Sequence, residues 1–149
     1  RQEGRQRRGG DGPASRRGRG PGEHAALETL SPTSRVLELP YPPSVNHIWR
    51  RVGARTVISR EGRRYRRDVC AALAAMRVAR MNGRLAVRVT VCPPDHRRRD
   101  IDNVQKALLD ALAKGGAYRD DSQIDRLEVE RGPVTPGGKV LVEITEINA

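Results

Sequence analysis

The residues best suited to chemistry lie in one short stretch, where three arginines precede two aspartates and a lysine. It runs from His96 to Lys106 and has the sequence HRRRDIDNVQK. Asp100 and Asp102 offer hard oxygen ligands of the kind that Mg²⁺ prefers, and Lys106 adds a cation. A metal held there activates a water and stabilises a leaving oxygen. The stretch is therefore suited to phosphodiester hydrolysis, with Arg97, Arg98 and Arg99 positioned to hold flanking phosphates.

Three further aspartates accompany this stretch. On a helix at about 100° per residue, Asp102, Lys106 and Asp110 fall in one stripe. The opposite face carries apolar residues, namely Val104, Leu108, Ala111 and Leu112. Asp120 and Asp121 follow the helix and lead into the next strand. If that strand lies beside residues 85–91, we expect the loop and the helix start to face one another.

A structural interpretation of the same residues competes with the catalytic one. Asp100 is a good helix N-cap, and Asp102 in the first turn complements the helix dipole. Lys106 can form an i,i+4 ion pair with Asp102 or Asp110. The surrounding charge favours a metal site, because carboxylates in a DNA-binding surface repel phosphate unless a cation bridges them.

The charge of the whole chain indicates a polyanionic partner. The net charge is +11 and the pI is about 11.0, and nucleic acid is the commonest partner of so basic a protein. A merely soluble cationic protein is the alternative. Only 36% of residues are hydrophobic and none is Phe, so the core must consist of Leu, Val, Ile and Ala.

Several other classes of site are excluded by spacing. Cys70 and Cys92 form no CxxC pair, and we expect two small buried residues in a reducing cytosol. His47 and His96 belong to no HxH or HExxH pattern and are expected to face solvent. No glycine-rich stretch has P-loop spacing. We expect no signal peptide, because the first residues lack an apolar core, and no apolar run approaches the roughly 18 residues of a membrane span.

Composition divides the chain into two parts. Residues 1–34 are rich in Gly, Arg and Pro, and we expect a disordered tail, able to bind nucleic acid nonspecifically but dispensable. Residues 35–149 are expected to form the folded domain.

Hydrophobic periodicity and turn residues predict five strands and two helices in the domain. Ser59 is a plausible N-cap for the first helix, and Asn82-Gly83 a plausible end. Residues 133–138 are expected to form the turn between the last two strands. The order β-β-α-β-α-β-β predicts an α+β domain, a mixed sheet with two main helices packed on it. The predicted strands cover 35–39, 56–58, 85–91, 124–130 and 140–147, and the helices cover 59–80 and 101–114.

Taken together, these motifs resemble the RusA family of crossover junction endodeoxyribonucleases over roughly residues 35–147. Each motif alone is weak, but their order and spacing are specific. The matching segments are LPYPPSVN at 39–46 with Trp49-Arg50, SREG at 59–62 with Tyr65-Arg66, RRDIDN at 98–103 with Lys106 and Asp110, DDSQ at 120–123, and a closing hairpin at 132–147.

The resemblance implies a homodimeric enzyme that makes paired, symmetric, Mg²⁺-dependent nicks in four-way junctions, with Mn²⁺ as a substitute, during DNA recombination and repair. It implies a metal site at Asp100, Asp102 and Asp121, with Asp120 close by, and a catalytic role for Lys106. It matches Arg99 and Asn103 to supporting positions near the DNA backbone. Further DNA contacts are expected from Arg97, Arg98, Asn46, Arg50 and Arg66. A two-fold axis suits two symmetric nicks.

The loop before Asp120 departs from the family pattern, because it reads GAYR where relatives often carry bulkier apolar residues. Tyr118 is then the candidate for a wedge at the junction centre. Two other classes of function remain open from sequence: a noncatalytic nucleic-acid-binding module and a small basic ribosome-associated protein. The expected location is the cytoplasm, in the bacterial nucleoid or a phage-infected cell.

Overall fold

The computed structural model describes residues 33–147, so the predicted tail lies almost wholly outside the described residues. Within them the chain forms six strands and three helices in an α+β arrangement. Short 3₁₀ turns at Ile101–Val104 and Asp121–Gln123 adjoin the third helix and the fifth strand. The elements are β1 (Ser34–Pro40), α1 (Val45–Ile48), β2 (Trp49–Val52), β3 (Arg55–Ile58), α2 (Arg60–Ala75), β4 (Arg84–Cys92), α3 (Gln105–Lys114), β5 (Ile124–Arg131) and β6 (Lys139–Ile147).

Four strands form a mixed sheet in the order β1-β6-β4-β5, and β2 pairs only with β3. β6 is antiparallel to both β1 and β4, whereas β4 and β5 are parallel. The predicted mixed sheet is confirmed. The predicted closing hairpin is wrong, because β4 lies between β5 and β6. Residues 132–138 instead carry the chain past the end of β4, where the Gly132 N–H donates to the Val91 carbonyl at 2.8 Å.

The core lies on one face of the sheet. Alternate residues of β1, β4 and β6 point towards the helices because a strand repeats every two residues. They meet the apolar faces of α2 and α3, whose most buried members are Val69, Leu73, Leu108 and Leu112. The two predicted helices therefore pack on the sheet as expected. The buried strand residues are Leu37, Leu39, Leu85, Val87, Val89, Val91, Val140, Val142 and Ile144.

Helix boundaries differ from the prediction at two places. Ser59 does cap α2, accepting from the Gly62 N–H at 3.0 Å, but the helix ends at Ala75 rather than Arg80. Arg77 adopts a left-handed φ of 50°, and the Val78 N–H bonds to the Leu73 carbonyl, a Schellman-type ending. An arginine at this position carries no sequence signal for a stop, since glycine is the usual residue there. The predicted helix 101–114 begins as a 3₁₀ turn and becomes α-helical at Gln105.

The β2–β3 hairpin was only partly predicted. Residues 56–58 were expected to be a strand, but its partner β2 and the short helix α1 were missed, since an exposed four-residue strand has no hydrophobic alternation. None of the helices within residues 33–147 is long and apolar enough to cross a membrane.

Candidate active site

An ion pair shapes the loop that carries the three arginines. The Arg99 guanidinium donates to both carboxylate oxygens of Asp95, at 2.6 and 3.0 Å, and the Arg97 N–H donates to Asp95 at 2.9 Å. These hydrogen bonds, led by those from Arg99, hold the pKa of Asp95 well below its usual range. Arg99 is therefore largely occupied within the fold. The Arg97 side chain, only 3.8 Å from Asp95 but 84% exposed, and the exposed Arg98 point outward.

Asp100 and Asp102 are exposed carboxylates with few partners. Asp100 occupies the N-cap position of the 3₁₀ turn but makes no side-chain cap hydrogen bond. Its one side-chain contact is a long one, 3.4 Å from the Asn103 amide. The Asp102 side chain has no hydrogen-bond or ion-pair partner among the described residues. The capping alternative is therefore not supported for Asp100, and both carboxylates keep oxygens available for a ligand.

Lys106 pairs with Asp110 one turn further along α3. The Nζ–Oδ1 distance is 3.0 Å. This hydrogen bond, with the charges of Asp110 and Asp121, raises the pKa of Lys106. Lys106 is therefore a cation at neutral pH. Of the two pairings that the sequence allowed, the structure has the one with Asp110.

A turn with many hydrogen bonds holds Asp120 and Asp121. The Asp120 carboxylate accepts from the Ser122 N–H at 2.9 Å, and hydrogen bonds from the Ser122 side chain and backbone lower the pKa of Asp120. Gln123 accepts from the Arg119 and Asp120 N–H groups through its amide oxygen. Asp120 thus serves as a cap, and the exposed Asp121 has no side-chain hydrogen bond within the described chain.

The parallel pairing of β4 and β5 decides where these groups lie. β5 does lie beside β4, as predicted, but the turn holding Asp121 precedes β5 and therefore adjoins the start of β4. Asp100 lies near the other end, where Arg131 of β5 donates to the Arg99 carbonyl at 2.7 Å. The charge of Asp121 nonetheless acts on Lys106 in the first turn of α3, so the Asp121 turn lies within electrostatic range of the helix start. The predicted stripe begins at Asp102 in the 3₁₀ turn and continues with Lys106 and Asp110 on α3.

Within residues 33–147, no group of three or more His, Cys, Asp or Glu side chains lies close enough to hold a metal ion. The donor chemistry still fits Mg²⁺, because this ion keeps several waters and commonly uses one or two protein carboxylates with substrate phosphates. Asp100 and Asp102, exposed and largely unbonded, are carboxylates of that kind. These two carboxylates fit an open site in which the ion keeps part of its water shell.

A cleft of about 920 Å³ joins three of the sequence motifs. It lies between the proline-rich loop after β1, the start of α2 and the arginine loop. Tyr65 fixes the first two together, since its hydroxyl donates to the Pro40 carbonyl at 3.1 Å. The cleft gathers five of the predicted site residues, whereas Asp102, Lys106, Asp120 and Asp121 do not line it. The five are Arg97, Arg98, Arg99, Asp100 and Asn103.

The remaining predicted DNA contacts, Asn46, Arg50 and Arg66, do not line the cleft. Asn46 is exposed on α1, Arg50 is exposed on β2, and Arg66 is half-buried near Asp110. Tyr118 is not available as a wedge, because it is fully buried and its hydroxyl donates to the Leu109 carbonyl at 2.9 Å.

Three residues that organise the site were not identified from sequence. Asp95 and Arg131 hold the arginine loop, and Gln123 fastens the Asp121 turn to the carbonyls of Met81 and Gly83 at 3.2 and 2.9 Å. Gln123 did carry a signal, since an aspartate followed three residues later by glutamine has capping-box spacing. Asp95 and Arg131 lie in irregular or terminal positions, where spacing predicts no partner.

Comparisons with known proteins show which family the chain resembles. The family model described as Endodeoxyribonuclease RusA matches residues 40–145. A crossover junction endodeoxyribonuclease from Enterobacteria phage HK97 is 43% identical over 112 residues, covering 74% of this chain and 93% of the relative. Enzymes of the same name from Escherichia coli K12 and Enterobacteria phage 82 are each 41% identical over the same length and coverage.

The α+β fold, the carboxylates beside an arginine-lined cleft and these relatives define the class of the protein, which is an endonuclease. The chain belongs to the endodeoxyribonuclease RusA family.

Proposed function

We propose that the protein is a structure-selective endodeoxyribonuclease that resolves Holliday junctions by paired symmetric nicks, in DNA recombination and repair. The observation that carries the proposal is the pair of exposed, largely unbonded carboxylates, Asp100 and Asp102, directly after an arginine-lined cleft. Relatives that cover 74% of the chain are named crossover junction endodeoxyribonucleases, which supports branched DNA as the substrate.

The proposed cofactor is Mg²⁺, with Mn²⁺ as a substitute. Asp100 and Asp102 are the proposed ligands, joined by Asp121, with Asp120 supporting the Asp121 turn through its cap. When bound, the ion activates a water and neutralises charge on the phosphate oxygens. The carboxylates of this chain would orient the ion relative to the phosphate that the cleft positions.

Lys106 would supply positive charge rather than remove a proton. Its ion pair with Asp110 raises its pKa, so a neutral amine is disfavoured at physiological pH. A protonated lysine next to the scissile phosphate stabilises negative charge that develops there. The ion pair also fixes the ammonium in place, which limits the reorganisation needed during the reaction.

The proposed DNA-binding residues differ in whether their side chains already have hydrogen-bond partners within the fold. Arg97 and Arg98 point outward and are proposed to bind phosphates flanking the cut, whereas Arg99 acts mainly by holding the loop through Asp95. Asn103 adjoins Asp100 and is placed to contact the backbone. Further contacts are proposed at the exposed Asn46 and Arg50 and at Arg66.

We propose a homodimer, because two nicks related by symmetry require two sites related by a two-fold axis. Light scattering coupled to size-exclusion chromatography tests this directly. A monomer at the concentrations that support cleavage would contradict it.

The decisive experiment compares a labelled four-way junction with a linear duplex of the same sequence, in Mg²⁺ and in EDTA. The wild type is expected to nick only the junction, at symmetric positions and only with metal. Asp102→Asn should abolish cutting while retaining binding. The matched control is Asp125→Asn, which changes an exposed aspartate on β5 that pairs with Arg84 on β4. Cutting by Asp102→Asn at the wild-type rate would refute the site.

A noncatalytic nucleic-acid-binding module is the alternative function. The excess of arginine supports it equally, but it leaves the unbonded carboxylates without a role. Junction binding without cutting in any divalent metal would favour this alternative. Salt sensitivity does not separate the two, since both depend on phosphate contacts.

A further inference from the structure

The β2–β3 hairpin is an exposed arm that the catalytic proposal does not use beyond Arg50. Over residues 49–58 it carries Arg50, Arg51 and Arg55 and no acidic residue. None of these three arginine side chains has a hydrogen-bond or ion-pair partner within the part of the chain that the structure describes. By contrast, Arg84 and Arg88 on the sheet are paired with carboxylates. The hairpin therefore carries unneutralised positive charge.

The hairpin also exposes two large apolar side chains. Trp49 is 39% exposed and Val52, next to the turn at Gly53, is 51% exposed. Trp49 and Arg51 lie on one face of the ribbon, while Arg50 and Arg55 lie on the other, as the pairing of Arg50 with Val57 and of Val52 with Arg55 requires. An exposed aromatic among arginines is typical of surfaces that bind nucleic acid.

The root of the arm, where the hairpin joins α1 and α2, is held by hydrogen bonds, whereas the two strands are mostly exposed. The Ser59 N–H donates to the Ile48 carbonyl at 2.6 Å, and Arg63 donates to the Ile58 carbonyl at 2.9 Å. At Gly62 a Cβ would lie 2.9 Å from the Ile58 side chain, so only glycine lets α2 pass so close. Because a lone two-stranded hairpin is marginally stable, these contacts at the root hold the arm in a defined direction.

The root also lies beside the candidate active site. Immediately before the hairpin, His47 lines the arginine-rich cleft, and Ile48 lines a small hollow shared with Asp110. A strand of four residues spans about 13 Å, and a two-stranded ribbon of this kind fits the major groove of duplex DNA. The arm is thus close enough to reach a duplex segment adjoining the cleaved phosphate.

We infer that the β2–β3 hairpin binds a duplex arm of the DNA substrate, with Arg50, Arg51 and Arg55 on phosphates and Trp49 against the sugar-base surface. This inference rests on the proposed function for the identity of the DNA. It assigns to the hairpin the substrate-positioning contact that buried Tyr118 cannot supply. The contact is independent of sequence, because arginines on phosphates recognise charge rather than bases.

The single tryptophan of the chain gives a direct test. The full chain is titrated with unlabelled four-way junction in EDTA, and saturation is established separately from the anisotropy of a labelled junction. Tryptophan fluorescence is expected to be quenched and its quenching by acrylamide to decrease when the junction is bound. Unchanged emission and unchanged acrylamide quenching at saturation would overturn the inference.

A second measurement counts phosphate contacts. Arg50, Arg51 and Arg55 are changed together to Gln, and junction affinity is measured against salt concentration. The slope of log K against log salt should become shallower by about 2 to 3, since each lost phosphate contact removes roughly 0.9. Arg126→Gln, an exposed arginine on β5, is the control and should change the slope by well under 1. Circular dichroism verifies that each variant is folded.

The two proposals fail in different ways. Absence of metal-dependent nicking by the wild type defeats the proposed function whatever the hairpin does. Intact nicking with an unchanged salt slope in the triple variant defeats the hairpin assignment alone. Tryptophan protection together with a shallower slope supports it in either case.

Discussion

Removing the side-chain amide of Gln123 is expected to destabilise the fold measurably, because this one group makes four hydrogen bonds. Its nitrogen donates to the carbonyls of Met81 and Gly83, and its oxygen accepts from the N–H groups of Arg119 and Asp120. A hydrogen bond contributes about 0.5–1.5 kcal/mol net, and a buried carbonyl left unsatisfied costs about 1–3 kcal/mol.

The two exposed N–H groups regain water in Gln123→Ala, so the two bonds donated by the amide nitrogen dominate the loss. We expect the free energy of unfolding to fall by about 2–3 kcal/mol, a large fraction of the roughly 5–15 kcal/mol typical of a domain. With an m-value of about 1–3 kcal/mol per molar urea, the midpoint should drop by roughly 1–2 M.

Urea denaturation followed by circular dichroism measures this change. Gln105→Ala removes the same atoms from a half-buried glutamine on α3, whose side chain makes no hydrogen bond within residues 33–147, and serves as the control. Nicking by Gln123→Ala should also slow at saturating enzyme, with junction affinity retained, because the turn that carries Asp121 loosens. Equal midpoints for the two variants would refute the role assigned to Gln123.

Three further outcomes are expected. Tyr118→Phe should lose about 1 kcal/mol of stability, from the hydrogen bond to Leu109, while junction affinity and nicking stay unchanged; a loss of junction affinity would restore Tyr118 as a wedge. The depressed pKa of Asp95 means that its pair with Arg99 stabilises the fold above the ordinary carboxyl pKa and ceases to do so as pH falls through the lowered value. The difference in free energy of unfolding between wild type and Asp95→Asn should therefore be largest near about pH 6 and shrink as the pH falls below about 4. A difference that stays constant over this range would contradict the role of the Asp95–Arg99 pair. Leu108→Ala should cost about 2–5 kcal/mol in thermal or urea unfolding, since Leu108 is fully buried between α3 and the sheet, and a cost under 1 kcal/mol would show that the site collapses.

Sequence patterns correctly predicted the features that depend on a single strand or helix. The strands at 35–39, 85–91, 124–130 and 140–147 were predicted within a few residues, because each alternates apolar and polar residues and is bounded by turn formers. Ser59 was correctly identified as the cap of α2 for the same reason. The side of α3 that is buried also followed from spacing alone, as Val104, Leu108, Ala111 and Leu112 confirm.

Prediction failed where the backbone departs from common preferences. The end of α2 was missed because Arg77, rather than a glycine, adopts the left-handed conformation. The β2 strand was missed because all four of its residues are exposed, so no periodicity marks it. In both cases neighbouring structure sets the conformation, and the local residue types do not.

By itself the sequence determined the resemblance to the family, through the order of its motifs. It also determined the acidic and basic residue types of the site and the main strands and helices, because these depend on short-range spacing. The tertiary structure alone decided which groups meet. The parallel pairing of β4 with β5 placed the Asp121 turn beside the start of β4, Arg99 is paired with Asp95, and Tyr118 is buried. Sheet order and ion-pair partners join residues distant in sequence, and their energies depend on the assembled three-dimensional arrangement rather than on any local pattern.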